Sequence, residues 1–337
     1  MSAPYVTQEG RLVCVPEPTP QLQRFLPLWF FDGNVVLVAQ GVAFRVHQGV
    51  LAHHSTVFRS WFTGPNPVVS YGTVNLFEGV PMVWLRSTDT AYDLRQALFV
   101  MYGFRCFDGP LPVTFSEVAG LRRFALAYGM DLLAEASRQL FNPVFPGDIG
   151  DWDAFDREHR LSFGLGDYQA IEAFNLIKLK HDGFYLAAVY FCAQLPVEVL
   201  REGTWRLDGT PEVLSEEDMQ IILTAKARLQ ELSAKVLALC SDTVYTLGEQ
   251  CDETGCEVAL HAVMCPKGPV AGRLARGDAM SGWALYCIEE LSVNRQICDE
   301  CERDARERHE ALRKQVWKEF VEAVTVAQVP TRYWQGQ

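Results

Sequence analysis

The sequence predicts an α+β unit near the N-terminus, followed by a mainly α-helical region that carries a Cys-rich, zinc-compatible segment. Three observations predict it. Short β-branched and alternating apolar runs cluster between residues 28 and 85, the marks of strands. From about Ala91 onward the apolar spacing turns helical, and beyond Gly147 no further strand pattern is read. Ten cysteines are present, and those from Cys240 to Cys301 form a dense, less regular stretch.

The elements follow in chain order. Residues 1–27 are Pro-rich around Pro16, Pro18 and Pro20 and read as an extended tail. Val35-Val36-Leu37-Val38-Ala39 is the apolar, β-branched run of a strand covered on both faces. Gln40-Gly41 supplies a tight turn into Val42-Ala43-Phe44-Arg45-Val46-His47, which alternates apolar and polar residues. A short helix follows through Val50, Leu51 and Ala52. Ser55 can then cap a second helix, Val57 to Phe62, because its hydroxyl accepts from a free N–H of the next turn. Thr63-Gly64-Pro65 stops that helix. Met82-Val83-Trp84-Leu85 reads as a third strand. Helices are expected over Ala91–Tyr102, Phe115–Tyr128 and Met130–Phe141, with Val118, Leu121, Ala125 and Tyr128 on one face.

Asn142 to Gly147 closes this unit, so the first domain is placed at 28–146. A helical region is placed at 147–240 and a Cys-rich segment with the last helix at 241–337. Ile171–Lys180 and Phe184–Leu195 read as a helix pair around His181-Asp182-Gly183. Ser215-Glu216-Glu217-Asp218 fits a capping box, ahead of a stripe of Met219, Ile222, Leu229, Leu232, Val236 and Leu239. The last helix, Asp299 to about Ala327, lines up Ala305, Leu312, Val316, Phe320 and Ala323.

The order of strands and helices carries a resemblance. Asp32-Gly33-Asn34-Val35-Val36-Leu37-Val38, then Phe44-Arg45-Val46-His47, then Leu51-Ala52-His53-His54-Ser55-Thr56-Val57-Phe58 is similar to the BTB/POZ signature. Leu121 to Met130 resembles that family's helix ending in Tyr-Gly. The resemblance implies an intracellular protein-interaction module that self-associates, as a homodimer for instance, or binds a protein partner. It implies no catalysis. Leu195-Pro196, the acidic helix start Leu214 to Asp218 and the late Cys-x-x-Cys resemble the large group of BTB proteins in mushroom-forming fungi. Two positions depart from better-defined branches. Gln48 stands where BTB transcription repressors carry a basic residue, and Thr63-Gly64-Pro65 stands where cullin-binding members often carry an apolar-x-Glu element. Neither a transcriptional nor a ubiquitin-ligase role therefore has its matching residues here.

Charge narrows the partners. The formal net charge is −12, and beyond Phe145 there are 32 acidic against 20 basic residues. No lysine precedes Lys178, and no clustered basic face exists to neutralise phosphates, so direct nucleic-acid binding is not expected. The longest apolar stretch, Phe184–Leu195, is too short to span a bilayer, so no membrane partner is expected either.

Without a signal pattern or sequon, the cysteines are expected in a reducing compartment, as metal ligands or plain buried thiols. Cys298-x-x-Cys301 at a helix start has the spacing of half a zinc site. Cys251 and Cys256 can supply the other half, with Cys240, His261 and Cys265 in reserve. Two readings stand at this point: a structural Zn²⁺ on Cys251, Cys256, Cys298 and Cys301, or ordinary unpaired thiols. An enzyme with its site in this C-terminal segment is the alternative function, although no nucleophile elbow, P-loop or His-Glu-x-x-His run is found.

Overall fold

The computed structural model describes residues 5–6, 12–13, 22–64, 75–105, 113–141, 145, 166–178, 184–240, 251, 254–265, 268–275, 277–280 and 282–328. The chain divides into two compact units: residues 1–109 with 120–136, and residues 110–119 with 137–337.

The first unit is built on a five-stranded sheet. Its strands lie in the order Gln23–Trp29, Val42–Val46, Val35–Ala39, Val80–Trp84, Leu76–Phe77. The predicted hairpin forms with Val38 opposite Ala43, and Val35–Ala39 also runs parallel to Val80–Trp84. Gln40 and Gly41 both take positive φ (47° and 77°), as a tight two-residue hairpin turn requires. Why the central strand is apolar without interruption is now visible. Val35, Leu37 and Ala39 pack with Phe44, Leu51, Phe58 and Leu98 on one face, while Val36 and Val38 meet Ala43 and Val80 on the other.

Several strands were not expected: Leu76–Phe77, which pairs with Val80–Trp84, the two-residue pair Tyr5–Val6 and Leu12–Val13, and, beyond Gly147 where only helices were read, the pair Thr204–Trp205 and Pro211–Glu212. The longest is Gln23–Trp29, which pairs parallel with Val42–Val46 and lies mostly in what the sequence suggested was tail. The run Pro16, Pro18 and Pro20 hid it; Pro27 within it cannot donate to a ladder, a loss that an edge strand tolerates.

Helices cover the sheet. Gln48–His54 is followed directly by Thr56–Thr63, and Ser55 does two jobs between them. Its Oγ accepts from Phe58 N–H at 3.0 Å and donates to Tyr128 O at 2.5 Å. Phe58 is fully buried, stacked 4.8 Å from Tyr128 with the rings nearly parallel. Ala91–Met101 is tied to the later part of Phe115–Ala127 by a two-point ion pair from Arg123 to Asp93 (2.9 and 2.8 Å).

Within the second unit, helices on either side of residue 240 share one apolar core. Ala170–Lys178 packs on Tyr185–Gln194; residues 179–183, with the turn expected at His181-Asp182-Gly183, lie outside the described residues. Ser215 caps Glu216–Cys240 as the capping box predicts, accepting from Asp218 N–H at 3.2 Å. Ile222, Leu229, Leu232 and Val236 of the expected stripe are buried, but Leu239 is exposed. Glu216–Cys240 packs along the final helix, Asp299–Gln328.

The Cys-rich stretch is more regular than its sequence suggested. Among its described residues are the helices Thr254–Met264, Pro269–Leu274 and Trp283–Val293. They are short and broken at Gly268-Pro269 and Gly282, so no long amphipathic stripe announces them. Among the described residues no helix is long and apolar enough to cross a membrane.

Candidate metal centre

Two helix N-termini build the centre. Cys251 precedes the helix Thr254–Met264, and Cys256 lies in that helix's first turn. Cys298 immediately precedes Asp299–Gln328, and Cys301 lies in its first turn. Each helix start thus contributes one sulfur from ahead of the helix and one from inside it. Such placement favours thiolate, because the first-turn N–H groups are unpaired and the helix end is partially positive.

The four sulfurs converge. All of them lie within 4.8 Å of one another, and Cys251 Sγ is 3.9 Å from Cys298 Sγ. Zn–S bonds of about 2.3 Å in a tetrahedron place sulfurs about 3.5–4 Å apart, so the group needs only a small contraction to close on an ion. Backbone donors already point at the sulfurs. Cys298 N–H donates to Cys256 Sγ at 3.2 Å, and Cys301 N–H donates to Cys298 Sγ at 3.5 Å. Cys256 and Cys301 are buried, while Cys251 and Cys298 are half-buried.

The two helix starts hold their thiols differently. The Cys301 N–H bond is the chief reason the Cys298 thiol titrates below its usual range, against a smaller opposing effect of burial. Burial dominates at Cys256 and pushes its thiol up to about 11. A buried thiol of that kind gives up its proton to a metal ion rather than to water, since the cation's charge replaces it. The residues therefore fit a thiolate-binding divalent metal, and four cysteines could hold one here.

Among the other described cysteines, Cys192 and Cys287 behave as small core side chains. Cys192 donates to Ala170 O at 3.2 Å, and burial pushes its thiol upward. Cys287 is raised mainly by burial too. The reserve ligands are not in the group: His261 is exposed and Cys265 half-buried outside it. The side chain of Cys240 lies outside the described residues. What sequence reasoning missed was the helix beginning at Thr254, which makes the loose Cys251/Cys256 pair equivalent to the tighter Cys298/Cys301 pair.

In the first unit, His47 is fixed from two sides. Its Nδ1 lies 3.0 Å from Tyr102 Oη, and its Nε2 lies 3.2 Å from Asp32. Phe30 stacks on Tyr102 at 4.6 Å. Holding the strand ends against the helix Ala91–Met101, this cluster is structural. The unit also exposes large apolar residues, among them Phe31 (89 % exposed), Leu132 (84 %) and Leu26 (74 %).

The first unit is thus a small sheet flanked by helices, with several large apolar residues exposed. The family model of the BTB/POZ domain matches residues 30–77, from the hairpin through the Ser55-capped helix. The first unit carries a BTB/POZ domain, and a helical region with the four-cysteine cluster follows it. No curated protein matches the chain.

Proposed function

We propose that this protein is an intracellular interaction adaptor or scaffold whose BTB/POZ domain self-associates or binds a protein partner. One observation carries the reading: the sheet and helices that the BTB/POZ match at 30–77 identifies. BTB/POZ domains generally mediate protein–protein interaction. The exposed Leu26, Phe31, Leu76, Trp84 and Phe104 give that unit apolar surface to bury against a partner. The acidic composition supports a protein partner over nucleic acid, and the helical region offers a second surface. None of the seven described cysteines is joined in a disulfide, which fits a reducing compartment. The motifs after Gly147 support kinship with the BTB proteins of mushroom-forming fungi.

In this reading Cys251, Cys256, Cys298 and Cys301 hold a structural Zn²⁺. Four thiolates fill a tetrahedral shell and leave no open position for water or substrate, which argues against a catalytic site in this segment. The ion would supply cross-linking energy between two helix starts. Cys256 and Cys301 anchor it from the core, and the N–H groups of Cys298 and Cys301 orient the sulfurs.

The test is the mass in solution. Light scattering of the full chain should give a concentration-dependent mass above the single-chain 37.9 kDa, reduced by Phe31→Asp. A single-chain mass at every concentration, together with no protein co-purifying from the native cell, would count against the adaptor reading.

A further inference from the structure

We infer that the four-cysteine centre is an oxidant-operated latch, in which hydrogen peroxide joins Cys251 to Cys298 as a disulfide and expels the metal ion. The inference rests on the reading that the centre holds zinc. It comes from an asymmetry in how the four sulfurs are displayed. Cys256 and Cys301 are 1 % and 0 % exposed, so a dissolved oxidant does not reach them. Cys251 and Cys298 are the two half-buried members, and they are neighbours, 3.9 Å between sulfurs. They also come from different segments, one ahead of each helix. The reachable pair is thus one that bridges the two helix starts. The nearer pair in sequence, Cys298 and Cys301, is split between a reachable sulfur and an enclosed one.

The chemistry balances with peroxide as the only added reactant besides protons. One of the two half-buried thiolates attacks a peroxide oxygen, breaking the O–O bond and giving a sulfenic acid and hydroxide. The other half-buried thiolate attacks that sulfur, forming the S–S bond and releasing a second hydroxide. Two thiolates lose two electrons in all, peroxide gains them, and two protons turn the two hydroxides into water. The ion is left with only Cys256 and Cys301. Half a tetrahedral shell does not retain it, so zinc leaves as the disulfide forms. A metal clip between the two helix starts is exchanged for a covalent one, and reductant with fresh zinc reverses the exchange.

The experiment uses the reduced full-length protein. Its metal content is measured first by elemental analysis, with about one zinc per chain expected. Hydrogen peroxide is then added stepwise while a chromogenic chelator reads the released zinc. The remaining thiols are alkylated and disulfides are mapped by peptide mass spectrometry. Zinc release should track the loss of two alkylatable thiols, with the Cys251–Cys298 cross-linked peptide dominant. Thiol reductant plus zinc should restore the starting state. Cys265→Ser removes another half-buried thiol from outside the centre and should leave the release curve unchanged. Zinc retained while peroxide is consumed, or a dominant Cys298–Cys301 or Cys256–Cys301 link, overturns the latch and leaves the zinc reading standing. No zinc at the outset and no thiolate-to-cobalt absorption on reconstitution overturns both.

Discussion

Ser55 and Phe58 show how much a single side chain fixes in the BTB/POZ unit. The Ser55 hydroxyl both caps the helix Thr56–Thr63 and reaches Tyr128 O, so one oxygen joins segments more than 70 residues apart. Ser55→Ala removes both bonds without changing the helix length. It should cost about 1–2 kcal/mol, the usual worth of an N-cap, read as a shifted denaturant midpoint with unchanged slope. An unaltered midpoint would show that the cap is replaced by water. Phe58 has no exposed surface and lies against Tyr128, Trp61, Phe62 and Phe124. Truncating it to Ala leaves a cavity among aromatic rings too large to collapse. A loss of about 3–5 kcal/mol is expected, and wild-type-like melting of Phe58→Ala would contradict the packing described.

The long helices are where the charged residues become useful. Glu319, on Asp299–Gln328, accepts from Gln315 Nε2 at 3.1 Å and from Arg228 at 2.6 Å on Glu216–Cys240, with Lys235 at 3.6 Å. The Gln315 bond is the largest reason its carboxyl titrates below the usual range; burial, the next effect in size, opposes it, and Lys235 and Arg228 lower it further. A carboxyl whose folded value is depressed adds stability above its unfolded value, and that stability is lost as pH falls through the folded value. Stability of the second unit should therefore decline on acidification below about pH 4.3, and Glu319→Gln should flatten that slope. Equal acid slopes in both proteins would place the effect elsewhere. At this scale the sequence was legible wherever one period ruled. The two-faced strand Val35–Ala39, the capped helix after Ser55 and the capping box at Ser215 all stand within a residue or two of their expected places. It was opaque where local signals contradicted tertiary use. The run Pro16, Pro18 and Pro20 suggested a tail that reached over the edge strand Gln23–Trp29, and the helices between Thr254 and Val293 are too short and too evenly apolar to show a face. The metal centre was half legible for the same reason. Cys298-x-x-Cys301 has a readable spacing, whereas Cys251 and Cys256 gain theirs only from a helix start that the sequence does not advertise.

Across the whole molecule the acidic excess and the cysteine centre fall in the same part of the chain, which bears on what the metal does. Four thiolates without an ion would add to a region with 32 acidic and 20 basic residues. A bound Zn²⁺ halves that local charge from four to two, so loading relieves repulsion as well as cross-linking the helix starts. Structural zinc in an isolated zinc-finger peptide can supply about 10–16 kcal/mol and so decide whether the peptide folds. Here the setting differs, because Cys256 and Cys301 already belong to a core with Leu260, Met264, Ile288, Ile297 and Phe320. The core should survive without the ion, and only the segments that have little else to hold them should open. Before Leu312 the final helix buries Cys301, Ala305 and His309, a thin set of anchors for so long an element. Chelating the reduced protein should then raise amide exchange in residues 254–265 and 298–305 by at least about tenfold, equivalent to about 1.4 kcal/mol of local opening. Residues 35–46 and the aromatic cluster around Phe58 should exchange as before. Protection lost uniformly through both units would mean that the ion sets global stability, and protection unchanged everywhere would mean that the four sulfurs are packed thiols and nothing more.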